Sequence, residues 1–416
     1  MNDAELEGSE ELNLPVWARD EAFPPADEGF GWVDRKGHRH PSSSLDGLAT
    51  TIREDKDSVV NLVWTPDSPH CRVPEEIVAF EEPIAVVRKR WATDDLADAK
   101  NRLKWVGLAV LGVIAYMAFQ AWRMMNVRGT ASGIELGPYA ELRFIFQTVK
   151  HSSSVGLALL GFLIFAFIPW YQSQKRMREM NRKGAKSPPV IPLIRFETWL
   201  ETQKAPVTWG IMGMISIVFI VQFFFKNSVQ DAGLVKGAYR AGEYWRLFTA
   251  PMLHGGFIHF IMNSLGLLYL GKRMEVFARW PHVPMVFLFS ALVGGEASAR
   301  FTDATSVGAS GGLMGWLGFL LVFETLHSKL VPRSAKRRLI GGVIMTGLIG
   351  LIGYKFIDNA AHFGGLFAGM AYAIIVFPKS GSVMRPRTTL ADRVLGTVSL
   401  VVIALSGLFA ILKMTA

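Results

Sequence analysis

From Leu103 onward the sequence alternates between apolar runs of about 17–22 residues and short polar links, and runs of that length cross the hydrocarbon core of a bilayer as helices. A spanning segment has to be helical because lipid offers no partner to an open backbone polar group. Nine spans are predicted, at residues 104–122, 155–171, 206–226, 253–271, 283–301, 308–326, 338–355, 361–377 and 392–413. The expected fold class is therefore an all-α polytopic membrane protein.

The composition supports a membrane protein and limits its chemistry. Half of the 416 residues are hydrophobic and only 19% are charged, which is too apolar for a soluble domain of this length. We interpret the net charge of +9 as a topology signal and expect no nucleic-acid partner. The single cysteine, Cys71, excludes an internal disulfide, a cysteine-based zinc site and an iron–sulfur cluster, so no cofactor or metal is expected.

The links between the spans predict an orientation. Lys and Arg are dense in every second link from the third span onward, at residues 175–186, 272–279, 329–338 and 379–393. The positive-inside rule places these links in the cytoplasm, so the spans that begin near Ser310 and His362 both start at the outer face. The acidic opening of the chain predicts no cleavable signal peptide. We expect a multi-pass protein of the plasma (inner) membrane with a cytoplasmic N-terminus.

The domain organisation follows from the same pattern. Residues 1–100 are polar enough for a soluble domain, and β-like runs at Val59–Trp64 and Ile84–Val87 predict a small α+β unit. After it we predict an additional transmembrane hairpin at 101–172, a basic cytoplasmic linker at 173–205, a six-helix core at 206–378, and a cytoplasmic link with an additional C-terminal helix at 379–416. A cytoplasmic domain remote from the outer face is suited to regulation or to binding a cytoplasmic partner.

A glycine-flanked serine opens the sixth span, in the run from Gly308 to Gly315. Polar groups inside a span are functional candidates, and a helix N-terminus offers unpaired N–H groups to a developing oxyanion. Ser310 is therefore a candidate nucleophile. The alternative is that serine and glycine at this spacing only allow two helices to pack closely.

A histidine with its own glycines opens the eighth span. Gly365 and Gly369 share one helical face with His362, and Gly311, Gly315 and Gly318 lie along one side of the sixth span. Close approach of these two faces would bring the imidazole within reach of the Ser310 hydroxyl. The alternative role of a single buried histidine is that of a structural hydrogen-bond donor.

The segment from His254 to Asn263 carries a third polar group. His259 and Asn263 are four residues apart, so both project from one helical face and could donate to an oxyanion. The alternative is hydrogen bonding between helices. The sequence has no H-E-x-x-H zinc motif and no pair of aspartates in two spans, which leaves a hydroxyl nucleophile with an imidazole base.

Together these three blocks resemble the signatures of the rhomboid family of intramembrane proteases. They are H-x-x-x-N at His259 and Asn263, G-A-S-G-G-x-x-G from Gly308, and A-H-x-G-G-x-x-A-G from Ala361. The pair Trp245 and Arg246 is similar to the family's first outer loop. The resemblance covers about residues 206–377 and implies a six-helix rhomboid core.

The resemblance implies a role for each matching residue. Ser310 would be the nucleophile and His362 the general base and acid, while Asn263, His259 and the Ser310 backbone N–H would hold the oxyanion. Supporting roles are implied for Gly308, Gly311, Gly315, Gly365, Gly369, Trp245, Arg246 and His254. Met314 departs from the family, in which this position is often aromatic and packs on the imidazole; a flexible thioether can fill the same space.

The implied function is an intramembrane serine endopeptidase that cleaves transmembrane protein substrates within the lipid bilayer. One alternative is a non-catalytic rhomboid-like scaffold that binds transmembrane clients, although such members characteristically lack the serine or the histidine. Another is a transporter, which would require broken helices and an internal repeat. Asp358, one turn before His362, is expected to cap the helix rather than complete a catalytic triad.

Overall fold

The computed structural model describes residues 14–132, 137–183, 191–354 and 357–416. These residues form two compact units. One consists of residues 24–191 with 349–357, and the other contains the remaining described residues, including nearly all of the predicted six-helix core.

The first unit begins with a small α+β domain, as the sequence predicts. Strands β1 (Phe30–Asp34), β2 (Arg39–Ser42) and β3 (Val60–Trp64) form an antiparallel sheet in the order β2-β1-β3. Helix α1 (Leu45–Glu54) starts where the Ser44 hydroxyl accepts a hydrogen bond from the Gly47 N–H, which is an ordinary N-cap. Its apolar face packs with β3 around a buried core of Leu48, Ile52, Val63, Phe80 and Ile84.

The predicted strand at Ile84–Val87 is wrong, because these residues lie in the 52-residue helix α2 (Glu81–Ser132). Ile84 and Val87 are three residues apart and both buried, which fits one helical face as well as a short strand. Glu81 and Glu82 favour a helix N-terminus at this point. The helix continues into the first apolar run, so the predicted division at residue 100 falls inside it. The rest of the unit consists of α3 (Pro138–Lys150), α4 (Ser153–Phe162), a π-helical turn at Leu163–Phe167 and α5 (Ile168–Lys183).

The second unit contains the helices of the predicted core. After two 3-10 turns at Val16–Ala18 and Asp20–Ala22, its helices are α6 (Ile191–Thr202), α7 (Pro206–Gln222), α8 (Ser228–Ala232), α9 (Lys236–Arg240), α10 (Arg246–Thr249), α11 (Phe257–Ala278), α12 (His282–Phe301), α13 (Ser310–Leu326), α14 (Arg333–Ile352), α15 (Asn359–Val376) and α16 (Leu390–Thr415). The range predicted as a basic linker thus contains the end of α5 and all of α6. Within this unit α6 is anchored to the N-terminal segment, since Arg195 donates to the Trp17 carbonyl at 3.1 Å.

The helices confirm the predicted fold class. Among the described residues, five helices are long and apolar enough to cross a membrane, and seven spans result if each of two bent pairs counts as one. The bent pairs are α6 with α7, at 64°, and the segment Arg246–Met252 with α11, at 91°. Helix α13 is apolar but shorter. The predicted six-helix core corresponds to α7 and α11 to α15, and the predicted additional C-terminal helix to α16.

Helices α13 and α15 approach each other so closely that only glycine fits between them. A Cβ atom at Gly365 would collide with the Gly311 carbonyl oxygen, and one at Gly369 with that of Gly315. A Cβ at Gly318 would meet the Leu366 carbonyl in the same way. The glycine faces predicted from the sequence therefore form one continuous backbone contact.

We predict that Gly369→Ala destabilises the protein. The added methyl group meets backbone atoms that cannot rotate away, so thermal unfolding in detergent should show a loss of about 1–3 kcal/mol. Gly341→Ala is the matched control, because this helical glycine in α14 has open space around its Cβ position. The control should be neutral or stabilising by up to about 1 kcal/mol. Equal stability of the two variants would contradict the packing described here.

Candidate active site

Ser310 is the first residue of α13, so its environment is that of a helix N-terminus. The first helical hydrogen bond runs from the Leu313 N–H to the Ala309 carbonyl at 3.0 Å, which leaves the N–H groups of Ser310, Gly311 and Gly312 without a helical acceptor. Gly308 precedes this start with a φ of +124°, a conformation that side chains rarely adopt. Its N–H donates to the Ala250 carbonyl at 2.9 Å. The backbone around the serine is therefore fixed from outside the helix.

His362 lies in the first turn of α15, beside the start of α13. The Asp358 carboxylate accepts from the Ala361 N–H at 3.0 Å, which confirms the predicted N-cap. A Cβ built on Gly311 would lie 3.8 Å from the Ala361 carbonyl oxygen, so the residue after the serine faces the residue before the histidine. The described Ser310 hydroxyl and His362 imidazole make no hydrogen bond with each other in this structure. Such contacts are often long in enzymes without substrate.

Two further donors face the same point from α11. A Cβ built on Gly308 would lie 2.9 Å from His259 Nε2 and 3.5 Å from Asn263 Nδ2. Asn263 Nδ2 is buried without a hydrogen-bond partner among the described residues. The Gly255 N–H points at His259 Nδ1 from 3.4 Å, an arrangement that leaves Nε2 as the donor of a neutral ring. The N–H groups of both side chains thus lie beside Gly308, two residues before Ser310.

His254 packs beside the His259 ring. Its ring is fully buried, 5.2 Å from the His259 ring, and its edge contacts involve Phe219 and Phe260. The backbone of His254 is tied to α7, because its N–H donates to Gln222 Oε1 at 3.0 Å and its carbonyl accepts from Gln222 Nε2 at 2.6 Å. The turn that leads into α11 is thereby held in place.

Arg246 organises the loop between α7 and α11. Its guanidinium, in a residue only 7% exposed, donates to the carbonyls of Gln230, Asp231 and Gly233 and to the Glu243 carboxylate. It also lies 4.5 Å from the centroid of the Trp245 ring. The Trp245 ring also contacts α16, through the edge of Phe409 and the ammonium group of Lys413.

The remaining predicted residues lie on or near the two glycine faces. Gly315 accommodates Ser290 of α12, whose side chain would collide with a Cβ there. Met314, the departure from the family pattern, is half-buried in the first turn of α13.

Sequence reasoning missed one group of polar residues beside the site. Lys236, Ser298 and Ser306 form a hydrogen-bonded network with Asp358. Only Asp358 carried a signal, its position one turn before His362. The other three lie in segments whose mutual contact no motif indicates.

Comparison with known proteins concerns the segment that contains this site. Residues 241–379 match the family model of the rhomboid domain, and they include Arg246, Asn263, Ser310 and His362. RHOMBOID-like protein 6, mitochondrial, of Arabidopsis thaliana is 34% identical over 152 residues, which are 35% of this chain and 48% of that protein. Rhomboid protease GluP of Bacillus subtilis (strain 168) is 33% identical over 173 residues, 40% of this chain and 32% of that protein.

A shorter bacterial relative is covered more fully. Putative rhomboid protease YdcA of Bacillus subtilis (strain 168) is 27% identical over 140 residues, which are 33% of this chain and 70% of that protein. The chain spans about half the length of the plant relative and about a third of GluP. The helical membrane fold, the site geometry and these matches define a polytopic protein with a rhomboid domain. The segment at residues 241–379 is similar to the rhomboid domains of rhomboid proteases and rhomboid-like proteins.

We predict that Arg246→Lys loosens the loop between α7 and α11. A lysine ammonium is a compact point charge and cannot reach three carbonyls and a carboxylate at once, so stability should fall by about 2 kcal/mol. Thermal unfolding and limited proteolysis within residues 223–245 measure the effect. Arg300→Lys is the matched control, since that guanidinium side chain is 71% exposed and its one ion pair within the described ranges is with Glu296. Unchanged protease resistance in Arg246→Lys would contradict the assigned role.

Proposed function

We propose that this protein is an intramembrane serine endopeptidase that hydrolyses peptide bonds in or near transmembrane helices of other membrane proteins. The observation that carries the proposal is the convergence on one point of three features. These are the unpaired Asn263 amide, the free N–H groups at the start of α13, and the start of the helix that bears His362.

The Ser310 hydroxyl is the nucleophile in this proposal. Its oxygen attacks the scissile carbonyl carbon while its proton passes to His362. The C–N bond then breaks as His362 returns that proton to the leaving amine, and an acyl group remains on Ser310. A water molecule then attacks the acyl carbon while its proton passes to His362. The bond to Ser310 breaks as His362 returns the proton to the serine oxygen, which restores the hydroxyl.

The oxyanion of each tetrahedral intermediate is held by donors that are already in place. Asn263 Nδ2 and His259 Nε2 lie beside Gly308, and the N–H groups at the start of α13 follow it closely in the chain. A buried amide without a partner is expensive to maintain in a ground state. It is useful where an oxygen gains negative charge during the reaction, because the donor needs no reorganisation at that moment.

The location of the site suggests which substrates can reach it. Hydrolysis needs water, and both candidate catalytic residues lie in the first turns of their helices. With the orientation predicted from the basic links, these turns face the outer side and the N-terminal domain lies in the cytoplasm. A transmembrane substrate has to unwind locally to expose its carbonyl, which favours Gly, Pro or small residues near the cleaved bond.

The central prediction concerns covalent labelling of Ser310. A fluorophosphonate probe should label the purified full-length chain at Ser310, and both labelling and cleavage of a transmembrane substrate should be lost in Ser310→Ala and His362→Ala. Ser216→Ala is the matched control, because the Ser216 hydroxyl only donates to the Met212 carbonyl within α7. Cleavage by Ser310→Ala at the rate of the unmodified protein would refute the mechanism. A chain that binds transmembrane helices but never labels would instead be a non-catalytic rhomboid-like scaffold.

We predict that Asn263→Ala lowers kcat without removing the nucleophile. Loss of one oxyanion donor typically reduces the rate about 10²–10³-fold, since the donor acts mainly on the transition state. Steady-state cleavage should show the fall in kcat with little change in KM. Ser264→Ala, the adjacent residue with a helix-internal hydrogen bond to Phe260, serves as control. A change in KM alone would assign Asn263 to substrate binding.

A further inference from the structure

We propose that Lys236 is a positioning residue, which holds both catalytic helices at their starts through a buried network with Ser298, Ser306 and Asp358. The inference rests on the proposed function and deepens it, because it identifies what fixes the two partners of the dyad relative to each other.

The network is centred on a buried ammonium group. Lys236, only 2% exposed, donates from Nζ to Ser298 Oγ at 2.6 Å and to Ser306 Oγ at 2.9 Å. Both hydroxyls in turn donate to the same carboxylate oxygen of Asp358, and they lie 2.9 Å from each other. Each serine therefore accepts from the cation and donates to the anion, which links the two charges without direct contact.

Two residues of this network lie shortly before the two proposed catalytic residues along the chain. Ser306 lies four residues before Ser310, and Asp358 lies four residues before His362. The second Asp358 oxygen caps α15 through the Ala361 N–H, and the Asp358 carbonyl accepts from the His362 N–H at 3.1 Å. One lysine thus holds the segments leading into both catalytic helices.

The backbone strengthens the same connection. Leu234 and Ser306 form an isolated antiparallel bridge, with hydrogen bonds of 2.9 and 3.2 Å in the two directions. Ser298 adds the end of α12 to the network, and the Thr302 hydroxyl donates to its carbonyl. The network therefore joins α9, α12, the segment before α13 and the cap of α15.

The charges suit a positioning role better than a stabilising one. Burial lowers the pKa of Lys236 to about 8, although the Asp358 charge opposes this shift and the Arg240 charge adds to it. The other charged groups nearby are paired among themselves, Arg240 with Asp303 and Arg300 with Glu296. Well-packed apolar residues often stabilise a protein as well as a buried charge pair does, so we assign this pair a role in geometry and not in net stability.

The test compares the variants Lys236→Met and Asp358→Asn, separately and together, in the full-length chain in detergent. Asn can still cap α15, so Asp358→Asn removes the charge and keeps the cap. Lys226→Met is the matched control, as an exposed lysine in the loop before α8. Three quantities are measured for each protein: the rate of fluorophosphonate labelling at Ser310, kcat and KM for a transmembrane substrate, and the unfolding temperature.

We expect Lys236→Met to lower the labelling rate and kcat about 10²-fold with KM unchanged, because small misplacement of reacting groups has effects of this size. The double variant should regain unfolding temperature, since it leaves no unpaired buried charge, but its rate should stay low because Lys236 no longer joins Ser298 and Ser306. Lys226→Met should behave like the unmodified chain. A purely structural role would lower the unfolding temperature without changing the rate per folded molecule.

Three results would overturn the inference. They are a rate for folded Lys236→Met within threefold of the unmodified chain, a double variant whose rate returns to that of the unmodified chain, and a rise in KM alone. If Lys236→Met does not fold, Ser306→Ala removes one of the two hydroxyl bridges and should lower the rate about tenfold; an unchanged rate would again overturn the inference. Labelling of the unmodified chain separates the two proposals, because its absence refutes the proposed function itself.

Discussion

The contact between the backbones of α13 and α15 is the constraint on which the rest of the site depends. Lipid tails are as apolar as leucine, so helices in a membrane associate through close packing and hydrogen bonds instead of burial from water. Glycines on both facing sides permit this packing where Gly365 meets Gly311 and Gly369 meets Gly315. Since the two helices start at the same end, their contact brings the residues next to Ser310 and His362 together.

Around this contact most buried polar groups of the unit have partners; the exceptions among the described residues are side-chain atoms of His254, Asn263, Ser290 and Glu324. The Glu275 carboxylate caps α7 by accepting from the N–H groups of Val207 and Thr208. Asn263 Nδ2, by contrast, has no partner among the described residues. An unsatisfied buried donor is unfavourable for stability. Because this donor lies beside the start of α13, binding of a reaction intermediate there would explain it.

The sequence predicted most of the apolar helices, the fold class and strand β3 because each depends on a local pattern of apolar residues, whereas helix α6 fell in the range predicted as a linker. It was wrong at Ile84–Val87, where four apolar residues fit a buried strand or one face of a helix equally well, and the neighbouring glutamates and the long apolar run beyond decided for a helix. The glycine faces of α13 and α15 were predictable for a similar reason, since a spacing of four residues defines one side of a helix.

By itself the sequence determined the membrane class, the rhomboid resemblance and the four polar side chains of the candidate site. Each of these depends on composition, run length or residue spacing within one segment. The four side chains are His259, Asn263, Ser310 and His362. Only the tertiary structure decided which donors face Gly308, and that Lys236 reaches Ser298 and Ser306 across 62 and 70 residues. The physical reason is that such contacts depend on the relative placement of separate helices. No periodicity within a single segment encodes that placement.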